Sequence, residues 1–145
     1  MAGARNKYIW MDTKDITFLN KAISFYNRGY TIKKDYYNGE NLALCYFEKS
    51  KQLKNTETAN DKDIVFNEIL AEKTFKSVLE ITEGIIESTN FNERSDVKWV
   101  YATAAKSASY LELKEKEDLY SSKFKSLCDN SWDFNTFEEN KIKKD

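Results

Sequence analysis

Residues 22–43 read AISFYNRGYTIKKDYYNGENLA, which we interpret as the end of one helix, a turn and the start of the next helix. Ala22, Tyr26 and Gly29 fall on one helical face, because they are spaced four and three positions apart. The same order of small, aromatic and small or medium residues returns at Ala71, Phe75 and Val78. In helix-turn-helix repeats, this face of the second helix packs against the first. The pattern therefore predicts stacked α-helical hairpins, an architecture that presents surfaces to partners.

The composition limits the classes of protein to which this chain can belong. The chain has 145 residues, no proline and four glycines, so we expect one domain over residues 1–145 with long, uninterrupted helices. Charged residues make up 32% and the formal net charge is -1, which argues against a dedicated nucleic-acid-binding protein. No apolar run approaches the roughly 20 residues of a membrane span, and the first six residues lack the apolar core of a signal peptide.

The two cysteines, Cys45 and Cys128, form neither a metal-ligand pair nor a redox motif. Both lie in helical patterns beside aromatic or leucine residues, so we interpret them as buried free thiols. Free thiols are typical of a reducing compartment, and we therefore expect a cytoplasmic protein.

Apolar periodicity and capping residues predict an all-α fold of about five helices plus a short C-terminal capping helix. The first four helices are expected over Thr13–Thr31, Tyr36–Leu53, Asp61–Ser88 and Ser95–Leu113. Asp12 and Asn60 are the expected N-caps of the first and third. Small residues cover most of the fourth helix, which predicts that it is the most enclosed.

The C-terminal third is expected to close the stack. Lys114–Glu117 is interpreted as a tight connection before the fifth helix, and the last helix starts at Ser131. Its aromatic residues, Trp132, Phe134 and Phe137, are expected to cover the end of the stack. Residues 54–61 are expected to form a solvated loop, and residues 141–145 a frayed tail.

Gly29 and Gly84 lie well inside predicted helices, where a glycine costs about 1 kcal/mol relative to alanine. For Gly29 we expect either the close approach of another backbone or a nearby helix end. For Gly84 we expect a kink or a close helix crossing.

Several positions resemble tetratricopeptide repeats. Leu42, Ala43 and Tyr46 resemble the signature of the first helix of a repeat, and Ala71, Phe75 and Val78 resemble that of the second. Weaker matches follow at Tyr110–Leu113, Leu119 and Phe124. The stretch from Tyr46 to Ala71 is longer than a standard repeat permits, which indicates divergent repeats.

A narrower resemblance covers most of the chain. Tyr8–Asp12, Leu19–Tyr30 and Tyr37–Ala43, followed in order by Trp99 and Ser131–Phe134, resemble the TRAF-binding domain of the apoptosis signal-regulating kinases and its bacterial relatives. Only the C-terminal part of that domain is represented, so we expect a piece of a larger regulatory region. The resemblance implies a tetratricopeptide-like region that binds signalling partners and controls an attached effector. Kinase motifs are absent, so the kinase-regulating role is not carried over.

The chain lacks the residues of common catalytic sites. It has no histidine, which removes Ser-His-Asp and Cys-His mechanisms and histidine-based metal sites. No phosphate-binding glycine loop occurs. Glu80, Glu83 and Glu87 have the one-turn spacing of a carboxylate pair or a cation site, but we interpret them as a solvated acidic face. We therefore expect a non-catalytic protein without a cofactor or metal.

The expected function is protein–protein interaction through a helical-repeat surface. If the hairpins form a groove, its first helices would supply the contacts, and the candidate partner-binding residues are Asn38, Glu40, Asn41, Lys98, Tyr101 and Lys106. Tyr36 and Tyr37 are further candidates as exposed aromatic residues, with burial expected for Tyr37. The partner is expected to be a protein or peptide, not nucleic acid or a membrane. The alternative is a ligand- or peptide-sensing domain that gates an attached effector.

The first predicted helix resembles the second helix of a hairpin without its first. The chain is therefore expected to continue a longer polypeptide, or to cover this open face with a second copy as a homodimer.

Overall fold

The computed structural model describes residues 2–139 and 141, and these residues form seven α-helices and one 3-10 helix with no β-strand. The helices are α1 (Ala2–Thr13), α2 (Ile16–Lys33), α3 (Tyr36–Lys54), α4 (Asp61–Ile86), α5 (Val97–Tyr110), α6 (Lys114–Leu127) and α7 (Ser131–Glu139), and the 3-10 helix is Phe91–Glu93. The all-α, tetratricopeptide-like fold class is confirmed. None of these described helices is both long and apolar enough to cross a membrane.

The chain divides into two compact units, whose boundary falls inside α4 between Thr74 and Phe75. The first unit holds α1, α2, α3 and the start of α4, and the second holds the rest of α4 and α5 to α7. Each unit is described by itself below. The expectation of a single domain stays a prediction.

In the first unit, α1 packs against α2 and α2 packs against α3. Two-residue connections force consecutive helices to run antiparallel, and local capping defines where each turns. The Asp15 carboxylate accepts a hydrogen bond from the Thr17 amide at 2.9 Å and so begins α2. Lys34 ends α2 in a left-handed conformation (φ 53°), and its amide donates to the Tyr30 carbonyl at 2.8 Å. Asp35 then caps α3 through the Asn38 amide at 2.8 Å.

Helix α1 was not predicted, and Asp12 lies inside it instead of capping α2. Only Gly3 and Trp10 of this helix are buried, so the sequence carries no apolar stripe to reveal it. The Trp10 indole donates to Gln52 Oε1 at 2.6 Å, and Gln52 Nε2 donates to the Lys14 carbonyl at 2.8 Å, which ties the end of α1 to α3.

Because α1 is the first helix of the first hairpin, α2 is not a second helix without its partner. The expectation of an open face on α2 is therefore wrong, and the reason for expecting a homodimer through that face is removed.

In the second unit, α5 packs against α6 around a core that includes Leu79, Ala102, Ala105, Tyr120 and Phe124. Small side chains along α5 are buried, as predicted for the most enclosed helix; they are Ala102, Thr103, Ala104, Ala105, Ser107 and Ala108. The helix ends at Tyr110, three residues earlier than predicted.

Lys114–Glu117 is the first turn of α6 and not a connection between helices. Glu115 and Glu117 are favourable there because negative charge interacts well with the positive end of the helix dipole. The connection is Leu111–Leu113, where Glu112 adopts a left-handed conformation (φ 60°).

The C-terminal helix begins at Ser131, as predicted. The Phe137 ring packs 4.6 Å from the Phe124 ring, and the Phe134 ring lies 6.5 Å from it, so both cover the α5–α6 pair. The Trp132 side chain and residues 142–145 of the expected frayed tail lie outside the described residues. Lys141 contacts Glu117 at 3.2 Å and Glu138 at 2.8 Å.

Close packing explains Gly29 but not Gly84. A Cβ on Gly29 would lie 2.9 Å from both Cγ and Nδ2 of Asn38, so the group that approaches this glycine is a side chain on α3 and not a backbone. The expected alternative, a nearby helix end, agrees with the end of α2 at Lys33. A Cβ on Gly84 would meet nothing within 4 Å, which makes the expected close crossing at this residue wrong. A Cβ on Gly3 of α1 would likewise lie 3.0 Å from the Tyr26 ring.

We predict that Gly29→Ala lowers the free energy of unfolding by about 1 kcal/mol, because the added methyl group displaces an Asn38 amide that Asp35 holds at 2.8 Å. Gly84→Ala is the matched control and should raise it by about 0.5 kcal/mol, since alanine favours the helix and nothing opposes it. Urea unfolding followed by circular dichroism measures both. Equal effects of the two substitutions would contradict the proposed packing at Gly29.

Candidate interaction surface

Three of the six predicted partner-binding residues lie on α3. Asn38 Nδ2 donates to Asp35 at 2.8 Å while its amide fills the space over Gly29, so its position serves the α2–α3 contact. Asn41 accepts from Lys7 at 3.3 Å and donates to the Tyr37 carbonyl at 3.0 Å. Glu40 is half-buried. These side chains are therefore partly occupied by contacts within the first unit.

The other three lie on α5, in the second unit. Lys98 pairs with Asp133 at 3.5 Å and lies 4.7 Å from the centre of the Trp99 ring. Tyr101 packs edge-on against Phe91 with 5.3 Å between ring centroids. Lys106 lies 5.9 Å from the centre of the Phe137 ring. The role of all six residues in partner binding stays a prediction.

Sequence reasoning missed a surface on α4. Val65, Phe66 and Ile69, which we call the α4 patch, are 50%, 59% and 45% exposed. Three large apolar side chains within five residues are thus open to solvent on one turn of helix. They lie opposite the buried side of the same helix, where Asn67, Ala71 and Phe75 are located.

Local contacts fix the orientation of this part of α4. Asn60 Oδ1 accepts from the Lys62 amide at 2.8 Å, which confirms the predicted N-cap. Lys54 at the end of α3 pairs with Glu68 at 2.6 Å. The sequence of α4 did contain a signal for the patch, because it has apolar residues on all sides of the helix, which indicates a second contact face. The helix prediction used only the stripe of apolar residues that is buried.

A second opening lies in the first unit. A cleft of about 270 Å³ is lined by the N-terminal residues of α1 together with Phe25, Tyr26, Tyr37 and Asn38. Tyr37 is 48% exposed, so its predicted burial is wrong. No described residue forms a hydrogen bond with the Tyr26 hydroxyl, and burial raises the pKa of Tyr26 above its ordinary value. The cleft therefore offers aromatic rings and a neutral hydroxyl group.

The cysteines are free, as predicted, but differ in surroundings. Cys45 is fully buried, and burial raises the pKa of its thiol to about 11. Cys128 is only partly buried, in contrast to the prediction. The Cys45 thiol is protonated at neutral pH, so it packs as a small apolar side chain and does not act as a nucleophile.

Among the acidic residues Glu80, Glu83 and Glu87, which we call the acidic row of α4, Glu83 forms hydrogen bonds within the second unit. Glu83 accepts hydrogen bonds from Tyr120 at 2.6 Å and from Lys116 at 2.9 Å. Burial alone would raise the pKa of Glu83, but these two hydrogen bonds and the charge of Lys116 outweigh it and lower the pKa below its ordinary value. Among the described residues, no group of three potential metal ligands lies close enough together to hold an ion.

We predict that Glu83→Gln lowers the free energy of unfolding at pH 7 by about 1 kcal/mol, because charge-assisted hydrogen bonds are lost. A carboxylate with a lowered pKa stabilises the fold above its unfolded-state pKa, and this contribution disappears as the pH falls through the folded-state pKa. The difference between variant and wild type should therefore shrink from pH 7 to pH 3. Glu80→Gln, exposed on the same helix, is the control and should have little effect at either pH. A difference for Glu83→Gln that is unchanged at pH 3 would contradict the ionic contribution.

Comparison with known proteins gives one match. A family model described as Tetratricopeptide Repeats-Sensor matches residues 1–46, which comprise α1, α2 and the first part of α3. No curated protein and no solved structure shows a significant match. The match supports tetratricopeptide-like repeats in this chain. The resemblance to the TRAF-binding domain stays a prediction.

Proposed function

We propose that this protein is a non-catalytic interaction module that binds a signalling partner protein through the α4 patch. The observation that carries the proposal is the exposure of Val65, Phe66 and Ile69 on one side of a helix whose opposite side is buried. Isolated exposed apolar residues are ordinary, whereas a contiguous group is typical of a binding surface.

Hydrophobic burial supplies the driving force for such a contact. Complete burial of a large apolar side chain is worth about 1.5–3 kcal/mol, and the three side chains of the patch are each about half exposed, so covering them yields roughly 3 kcal/mol in total. Neighbouring polar contacts then fix orientation more than they add affinity. The six residues predicted from the sequence remain candidates for such contacts. We further propose the cytoplasm as the place of action, supported by the two free thiols.

The patch can be tested by comparative capture from the native host. Phe66→Glu combined with Ile69→Glu should abolish recovery of the partner, because removing two carboxylates from water at the interface costs more free energy than the contact gains. Ile32→Glu is the control, since Ile32 is an exposed apolar residue (79%) on a different helix, α2, and it should leave recovery unchanged. The bound proteins are compared by quantitative mass spectrometry. Equal recovery with both variants would rule out the patch as the binding surface.

A second candidate function is a sensor that gates an attached effector. Its support is the cleft of about 270 Å³, whose lining residues all fall within residues 1–46, where the sensor family model matches. Its aromatic walls, and a Tyr26 hydroxyl without a hydrogen-bond partner among the described residues, suit a small molecule with an apolar ring and one hydrogen-bonding group.

Phenol is the simplest probe of this cleft. We predict saturable changes of the amide resonances of Ala2, Gly3 and Ala4 on titration, with affinity reduced by Tyr37→Ala. Tyr8→Ala, an exposed tyrosine of α1 that does not line the cleft, should leave the affinity unchanged. Unsaturable changes spread over the whole surface would speak against a sensor site here.

A further inference from the structure

We infer that the partner segment recognised by the α4 patch is an acidic amphipathic helix, and this inference rests on the function proposed above. Two lysines border the patch. Lys62 and Lys73 lie on the outward side of α4, one on each end of the apolar residues.

Both lysines are available to a partner. Each is exposed, and neither forms an ion pair with a described residue. Lys54, at the end of α3, differs in this respect because it already pairs with Glu68. Glu72, at the edge of the outward face, takes part in an interaction within the protein. Asp61 and Asp63 are also exposed in the first turn of α4, where negative charge complements the helix dipole, but they lie about 100° around the helix to either side of Lys62. Lys62 and Lys73 are therefore the charges in line with the apolar residues of the patch.

The spacing of these residues matches a helix as the bound element. Lys62 and Lys73 are eleven positions apart, which is about 16 Å along a helix at 1.5 Å per residue. A segment of three to four helical turns has this length. Apolar residues at positions i, i+3 or i+4 and i+7 would cover Val65, Phe66 and Ile69, and carboxylates at both ends would reach the two lysines.

The same charges disfavour a second copy of this chain as the occupant. If two copies of α4 crossed antiparallel with their patches in register, Lys62 of one copy would face Lys73 of the other at both ends. Like charges placed opposite each other at an interface are unfavourable. An acidic helix instead places opposite charges at both ends.

Two helical peptides test the inference. They share leucines on one face and alanines on the other, and differ only in that the flanking positions carry Glu in one peptide and Lys in the other. Binding to the full chain is measured by fluorescence anisotropy at low salt, after circular dichroism has shown equal helicity. We expect the Glu peptide to bind about tenfold more tightly than the Lys peptide, with the preference weakening at high salt.

Charge reversal distinguishes a specific pairing from general attraction. Lys62→Glu combined with Lys73→Glu should remove or invert the preference for the Glu peptide. Lys123→Glu, an exposed lysine on α6 that forms no ion pair with a described residue, should leave it unchanged. Equal binding of the two peptides, failure of the Glu peptide to bind, or an equal effect of the control reversal would each overturn the inference.

The patch variant separates this inference from the proposed function. If both peptides bind equally and Phe66→Glu abolishes both, the acidic partner is wrong while the α4 patch still binds helices. If Phe66→Glu does not change peptide binding, and Phe66→Glu combined with Ile69→Glu does not change capture from the host, the patch itself is wrong.

Discussion

The contact between Asn38 and Gly29 is the constraint on which the first unit depends. Asn38 lies in the first turn of α3, where Asp35 holds both its backbone amide and its side-chain amide at 2.8 Å. The space that this side chain occupies exists because α2 has no Cβ at Gly29. The helix start and the interhelical contact are therefore the same structural feature. Gly3 against the Tyr26 ring repeats the arrangement between α1 and α2. In both places, a glycine on one helix admits a side chain from the next.

Helix α4 has two faces with different roles. Its inward residues, including Ala71 and Phe75, are fully buried, and its outward face begins with the α4 patch. Further along, the same helix contributes Glu83, whose carboxylate is occupied by Lys116 and Tyr120. The outward apolar residues remain largely exposed in the part of the chain that the structure describes. This contrast along a single helix is why we assign recognition to the patch and a structural role to the acidic row.

The sequence was informative where a local signal defined an element. Asn60 marked the start of α4, and the small residues of α5 indicated its burial, because capping and side-chain size depend on neighbouring residues alone. Helix α1 was missed since it buries only Gly3 and Trp10, and Trp10 is held by Gln52, which is 42 positions away. Such a long-range contact leaves no periodic pattern. The α4 patch was missed for a different reason: its residues are as apolar as those of the core, and only the packing of the other helices shows which face stays open.

Hydroxyl-radical footprinting of the purified protein is the sharpest test of recognition through the α4 patch, because Phe66 and Phe75 are the same residue type on the same helix. Phe66 is 59% exposed and Phe75 is fully buried. We therefore expect Phe66 to be oxidised many times faster than Phe75 in the isolated chain and to become protected when the partner binds. Equal protection of the two phenylalanines in the isolated chain would contradict it.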